Sequence, residues 1–413
     1  MSHPLYWVAL QVALGIPCRN LSAIINHFGS AQQVFEATLS QLEESGVFTP
    51  GQMQRILEKP YAKAKEIYHD CQADGIDIYS PEHPLYPNSL RNMPDMPCVL
   101  YGKGTLPLLD GKPVVSIVGS RKPTLYGKIV ADRMASVLAI AGGIVVSGGA
   151  LGIDSVAHQG ALSVGGTTIG VLGCGISARY LDANRALRKQ IVQTGCLLSE
   201  YPPKEPATRF SFPLRNRIIA ALSLGTVVIE AGAKSGSLIT ADCALEQGKD
   251  VFALPGSVMS PDFEGSNQLV SQGAIPVFSG MDVLAHYERD YYHDLNMNCA
   301  RSLHAKHLQQ QLVVEKREFP TYVTQNQEET AEELPQSDEN SSVSHKNLHP
   351  TAGKDLSEQA LRVYNIILDA KTTVLAEIIE GSNLPPHVVL RELTTLELEG
   401  LVTKGPAGQY TLC

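Results

Sequence analysis

Between residues 114 and 284, short apolar runs alternate with longer stretches whose apolar positions recur at helical spacing. The runs at 114–118, 144–147, 167–172, 197–199, 226–230, 251–254 and 275–277 are rich in β-branched residues and show little polar alternation, which predicts strands buried on both faces. Helices are predicted over about 126–139, 154–163, 183–193, 214–223, 237–247 and 266–272. Short Gly-rich joints connect them. This order predicts a doubly wound, mostly parallel α/β sheet, whose ligands sit beyond the carboxyl ends of the strands.

The flanks follow other patterns. Residues 1–80 read as a small helical domain, with Gly29-Ser30 separating two apolar stretches and Ser40-Gln-Leu-Glu43 spaced as a capping box. That segment resembles sterile-alpha-motif or helix-hairpin-helix bundles. Prolines 81, 84, 87, 94 and 97 predict an extended connector, and 98–101 a short edge strand; the sheet domain is placed at 81–287. Residues 288–354 lose periodicity and turn polar, which predicts a disordered linker. In 355–413, helices are expected at 356–368 and 373–379, and Pro385-Pro386 opens a third with Val389, Leu393 and Leu396 on one face. Two short strands around Gly405-Pro-Ala-Gly408 complete a winged-helix-like module. Its third helix offers Arg391 against Glu392, Glu397 and Glu399, so contact with protein is expected there rather than base reading.

Composition narrows the function. Of 413 residues, 44% are hydrophobic and 18% charged, as in ordinary globular domains. The apolar run at 5–14 lacks a basic leader and is too short to span a bilayer, so a cytoplasmic protein is expected. The eight cysteines are scattered, with no CxxC pair, which predicts reduced thiols and no zinc site or other metal. The net charge of −9 is unevenly spread: residues 112–284 carry 15 basic and 12 acidic side chains, while the remaining segments are acidic. The basic segment is where a polyanion is expected.

Four clusters at strand ends could meet one. Gly119-Ser120-Arg121 joins a strand to a helix, an arrangement that presents backbone N–H groups and a guanidinium to a phosphate. Ser147-Gly148-Gly149-Ala-Leu-Gly-Ile-Asp154 lets the backbone approach a ligand, with Asp154 expected as a helix cap. Asp154, Ser155 and His158 share one helix and cannot adopt triad geometry, so a packed histidine is expected. Arg209-Phe-Ser-Phe-Pro-Leu-Arg215-Asn216-Arg217 combines cations with aromatics suited to phosphates and bases, although one arginine could pair internally with Glu200 or Glu230. Glu230-Ala-Gly-Ala-Lys234-Ser235-Gly236 forms another strand–loop–helix joint but lacks Walker spacing. The first strand is not followed by G-x-G-x-x-G, which disfavours an NAD enzyme. Four anion sites along one sheet edge fit a nucleic-acid strand better than a mononucleotide, and no cofactor is called for.

Taken with Phe212-Pro-x-Arg-Asn-Arg-Ile-Ile219, Ser235-Gly-Ser-Leu-Ile-Thr240 and Phe252-Ala-Leu-Pro-Gly256, these motifs resemble the DNA-processing protein A family (DprA, also called Smf). The resemblance implies an extended Rossmann-like domain that binds single-stranded DNA and has no catalytic turnover. It further implies protection of incoming DNA and loading of RecA recombinase during natural transformation, competence or recombination. By the same resemblance the Gly119-Ser120-Arg121 turn holds the DNA backbone. Asp182 stands where relatives often keep a basic residue, which shifts the second contact towards Arg185. A homodimer patch is implied at Leu245 and Val270. The alternative is a nucleotide-hydrolysing enzyme of the phosphoribohydrolase-like Rossmann class, with Gly225-Thr226 and Glu230 as its machinery.

Overall fold

The computed structural model describes residues 3–179, 182–318, 356–370, 372–382, 384–398, 401–404 and 409–412. The chain divides into two compact units, Met1–Val323 and Thr324–Cys413.

The first unit is built on a nine-stranded sheet. Its strands are β1 (Asp77–Tyr79), β2 (Leu100–Gly104), β3 (Val114–Val118), β4 (Ile144–Ser147), β5 (Thr168–Leu172), β6 (Cys196–Ser199), β7 (Gly225–Val228), β8 (Asp250–Ala253) and β9 (Ile275–Pro276). They lie in the order β1-β2-β6-β5-β4-β3-β7-β8-β9. The strands from β6 to β9 across the sheet pair in parallel, and β2 and β1 add antiparallel to the β6 edge. From β3 the chain winds outward through β4, β5 and β6, then returns to the other side of β3 for β7, β8 and β9. The strand order therefore reverses between β3 and β7, where an open α/β sheet leaves a crevice beyond its carboxyl ends.

Both faces are covered, as continuous apolar strands require. Val115, Ile117, Val145, Val227 and Phe252 pack with the helices Leu125–Ile140, Ile153–Ser163 and Gly280–Tyr287. Val114, Val118, Val146, Val171 and Val228 face the other way, onto Ser211–Leu222, Gly236–Glu246 and the N-terminal helices. Ser116 is accommodated on that side because its hydroxyl donates to Thr226 Oγ1 at 2.7 Å.

The N-terminal helices share the core of the sheet. Helix Pro4–Leu14 is buried nearly all round, with Trp7, Val8, Leu10 and Ala13 in the cluster that holds Val118 and Val171. Its Gln11 donates to the Glu200 carbonyl at 3.0 Å and accepts from the Tyr101 hydroxyl at 2.7 Å, which ties the helix to β2 and the end of β6. Capping boxes in this segment are formed by Thr38 with Gln41, two residues before the pair expected at Ser40 and Glu43, and by Thr49 with Gln52. Where the prolines of 81–97 leave carbonyls without ladder partners, Arg91 donates to the carbonyls of Pro81, His83 and Tyr86.

One expectation fails at the end of this unit. Residues 297–318, assigned to a disordered linker, form the helix Met297–Glu318, anchored by Leu295, Met297 and Ala300 against the core that holds the Leu125–Ile140 helix. Burial of its first turn supplies what its polar sequence does not. Residues 288–296, placed in the same linker, are turns that pack Tyr291 and Leu295 on that core, and residues 319–354 lie outside the described residues.

The second unit contains helices Glu358–Ala370, Leu375–Ser382 and Pro386–Leu398 with strands β10 (Thr372–Val374), β11 (Val402–Lys404) and β12 (Gln409–Leu412). They pair in the order β10-β12-β11. Val363, Ile367, Ile378, Val389, Leu393, Leu396 and Tyr410 form its core, as in a winged helix. Residues 373 and 374, expected to open the second helix, instead belong to β10, which adds a strand to the wing. Arg391 reaches Glu392 at 2.6 Å and Gln359 at 2.9 Å, so the helix's basic group is already engaged.

Candidate nucleic-acid interface

The crevice at the strand reversal is a cleft of about 790 Å³. Its walls are the turn after β3, the start of the Ser211–Leu222 helix and the loop after β7, contributing Gly119, Ser120, Arg121, Arg209, Phe212, Arg215, Asn216, Lys234, Ser235 and Gly236. All four sequence clusters thus contribute, the second through Ala150 and Asp154, although about ninety residues of chain separate the first from the third.

The turn after β3 is fixed from below. Ser120 N donates to the Glu230 carbonyl at 2.7 Å, and Ile153 N donates to the Ser120 carbonyl at 3.0 Å. Gly152 makes that second approach possible: its φ is +85°, and a Cβ there would overlap the Ser120 carbonyl. Beyond the turn, Thr124 caps the Leu125–Ile140 helix by accepting from Gly127 N at 3.0 Å. The Glu230 carboxylate, fully buried, accepts from Thr124 N at 3.1 Å and from Thr124 Oγ1 at 2.7 Å. A protein carboxylate therefore already occupies the positive end of this helix. The generic phosphate cradle expected there is corrected: the groups left facing the cleft are the turn itself and its exposed Arg121.

Arg121 lies with its guanidinium carbon 5.6 Å from the centre of the Phe212 ring. Arg209 stacks on Phe210 at 4.6 Å, and Phe210 is 69% exposed. Cations resting on aromatic faces hold a charge and a flat apolar surface side by side. On the facing wall Lys234 is exposed, and Asn216 Nδ2 donates to the Gly236 carbonyl at 3.3 Å, bracing the loop after β7.

The glycine loop after β4 plays a different part from the one expected. Gly148 and Gly149 are buried under the cleft. A Cβ on Gly148 would overlap Arg215 Nη1 and fall 2.6 Å from Asp154 Oδ2, so the glycine makes room for this pair. Arg215 Nη1 donates to the Val171 carbonyl at 2.5 Å. Asp154 caps no helix; it accepts from Ala150 N at 3.3 Å and sits against Arg215. Burial raises its pKa, and Arg215 opposes that rise. His158 is the packed residue expected: it is fully buried, with Nδ1 2.7 Å from Thr168 Oγ1, and burial pushes its pKa down to about 3.

Two more residues are reassigned. Arg217 points away from the cleft into a buried pair, with Nη2 at 2.7 Å and 2.8 Å from the Glu200 oxygens and Nε 2.9 Å from Asp95. Arg185 lies outside the cleft, on a separate groove lined also by Lys103, Arg188 and Lys189. Arg188 and Lys189 were not singled out from the sequence, although their spacing from Arg185 is visible in the chain. Of the expected dimer residues, Leu245 is 57% exposed on the Gly236–Glu246 helix, and Val270 packs partly against the core.

The profile of the family described as DNA recombination-mediator protein A covers residues 77–288, the sheet and the whole cleft. The chain belongs to the DNA-processing protein A (DprA/Smf) family. A second profile, the DprA winged helix domain, covers residues 348–408. The DNA processing protein DprA of Bacillus subtilis is 39% identical over 231 residues, 56% of this chain and 78% of that protein. The Smf protein of Synechocystis is 36% identical over 288 residues, covering 69% of this chain and 72% of that one. The crystal structure of DprA from Streptococcus pneumoniae matches with a TM-score of 0.60 at 35% identity, over 69% of this chain and 98% of that chain.

Proposed function

We propose that the cleft holds single-stranded DNA by its backbone, and that the protein acts as a cytoplasmic homodimer that protects incoming DNA and loads RecA recombinase during transformation or recombination. The observation that carries the reading is the set of cations and rings at one open cleft: Arg121 on Phe212, Arg209 beside them and stacked on the exposed Phe210, and Lys234. A phosphodiester strand likewise presents charge and unstacked bases together. The relatives' names, DNA processing protein and DNA recombination-mediator protein, agree with a DNA ligand. The exposed Leu245 is the apolar group on which dimer contact is placed. Among the described residues no helix is long and apolar enough to cross a membrane.

The function requires no turnover. In the hydrolase alternative Glu230 would have to reach a ribosyl phosphate, but its oxygens are occupied by Thr124 and the side chain is buried.

Arg121→Ala tests the reading through binding to oligothymidylate and to duplex at two salt concentrations. Affinity for single strands should fall about tenfold, the cost of one charge-assisted contact of ~1.5 kcal/mol, irrespective of base sequence. The slope of log affinity against log salt should become shallower by about 0.7. Unchanged binding, or a wild-type preference for duplex, would refute it.

A further inference from the structure

An exposed apolar patch borders the cleft. The helix Leu125–Ile140 leaves Leu125, Tyr126 and Ile129 open to solvent, and their spacing of three and four residues places them on one face. The loop after β8 carries Val258 and Met259 at its tip, 90% and 88% exposed. The Tyr126 ring centre lies 5.9 Å from that of Phe263, the buried residue with which this loop ends, so the two surfaces join there. Single exposed apolar side chains are ordinary, whereas several gathered on one surface mark a contact. Val258 and Met259 contribute almost nothing to the core, which leaves their apolar character to be explained by something outside the fold.

The sheet sets the position of this patch. β3, β7 and β8 are neighbours, and adjacent strands lie about 4.8 Å apart, so the loop after β8 stands one strand spacing beyond the loop after β7. The latter loop is common to both sites. Gly232 lines the cleft, and a Cβ on it would lie 3.2 Å from the Pro261 carbonyl oxygen, so no side chain rises between cleft and patch at this point. Gly265 N and Ser266 N donate to the Ala231 carbonyl at 2.7 Å and 3.2 Å, which fixes the end of the β8 loop to the same turn. Charge divides the two surfaces. The cleft offers Arg121, Arg209 and Lys234, while the exposed charges flanking the patch are Lys128 against Asp262 and Glu264. Such a surface suits apolar faces and does not suit phosphates.

We propose that this patch is a platform for the bases of the strand whose backbone lies in the cleft, with Tyr126 as its stacking ring and Val258 and Met259 as an apolar wedge, and that it favours single strands over duplex. The inference rests on the reading of the cleft as a single-strand site. An unpaired strand turns a charged backbone one way and apolar base faces another, and the adjoining cleft and patch divide in the same manner. Every base has a face that can stack on a ring, so the platform is indifferent to sequence. In a duplex those faces are already stacked on one another, and the patch gains nothing from them.

The test sets the full-length wild type beside Tyr126→Ala and the double variant Val258→Ser/Met259→Ser. The probes are an oligothymidylate of about twelve nucleotides, within the ~4–16 of known single-strand sites, and an abasic phosphodiester strand of equal length. Melting followed at the buried Trp7 confirms the fold of each variant. Tyr126→Ala should bind oligothymidylate about tenfold more weakly, the loss of one stacked base, and should bind the abasic strand as wild type does. Its salt slope should stay unchanged on both strands, because no phosphate contact is removed. Tyr126→Phe, which keeps the ring, should match wild type. The double variant should lose affinity for oligothymidylate alone, and its preference for single strands over duplex should narrow. Wild-type affinity of Tyr126→Ala for oligothymidylate would overturn the proposal and leave the patch to a protein partner. Equal losses on thymidylate and abasic strands would also overturn it, because the effect would then pass through the backbone site. Failure of the cleft itself is separate: Arg121→Ala would then bind both strands as wild type does, whatever the patch variants do.

Discussion

Replacing Glu230 by Gln probes the support of the site without touching its charged rim. The carboxylate accepts from both the backbone N–H and the hydroxyl of Thr124, at 3.1 Å and 2.7 Å, in full burial at the end of β7. A glutamine offers one acceptor oxygen and places an NH₂ against the other donor. One hydrogen bond to a charged group is lost, costing about 1.5–3 kcal/mol. The favourable placement of a negative charge at the N-terminus of the Leu125–Ile140 helix goes with it, adding ~0.3–1 kcal/mol. The sum is about 2–4 kcal/mol. Trp7, the only tryptophan of the chain, is fully buried in the first unit and reports its unfolding by fluorescence. With a urea slope near ~3 kcal/mol/M for a unit of this size, the midpoint should fall by roughly 1 M. Single-strand affinity in native buffer should change little, because the Ser120 turn is held by the Glu230 backbone carbonyl, which the substitution retains. An unchanged midpoint would refute the account of Glu230 as the brace beneath the turn. Base release from AMP by the wild type, lost in this variant without a change in stability, would replace the brace with a catalytic carboxylate.

Arg217→Ala should cost about 3–5 kcal/mol in the same denaturation measurement, because it leaves the buried Glu200 carboxylate without its cation; DNA affinity per folded molecule should be retained, and a loss of binding with unchanged stability would return Arg217 to the cleft. His158, whose pKa falls to about 3 in the folded protein, stays neutral there while the unfolded chain takes up a proton below its ordinary value near 6.5. Its contribution is therefore present above pH 6.5 and lost as the pH falls towards 3, at up to about 1.4 kcal/mol per pH unit. His158→Gln should flatten stability against pH between about 6 and 4, and an unaltered slope would show that this histidine does not govern it.

The strands were legible because of their composition. A run such as Val114–Val118 has no polar face to give to water, so only a strand covered on both sides accommodates it, and the observed β3 keeps those bounds. The helix Met297–Glu318 was hidden for the converse reason: its apolar contacts are few, Met297, Ala300 and Leu303, and its largely polar sequence reads as linker. The arginines of the third cluster show a limit of another kind. Arg215 and Arg217 are two positions apart on one helix, about 200° around its axis, so they cannot share a wall. Residue type is identical at both. Only the presence of Glu200 and Asp95 on one side, and of the Val171 carbonyl and Asp154 on the other, decides which arginine belongs to the cleft.

By itself the sequence determined the family, the alternating α/β architecture with its winged-helix module, and the loops at which anion-binding groups gather, since these depend on local pattern and on motifs a few residues long. Tertiary structure alone decided which of those loops share a cleft. The strand order brings the turn after β3 beside the loop after β7, although more than a hundred residues separate them, and it sends Arg185 to a different groove. It also decided that Gly148 serves Arg215, and that Glu230 serves Thr124. Such pairings are settled by which buried polar groups find a partner once the sheet closes, a condition that no stretch of chain can meet alone.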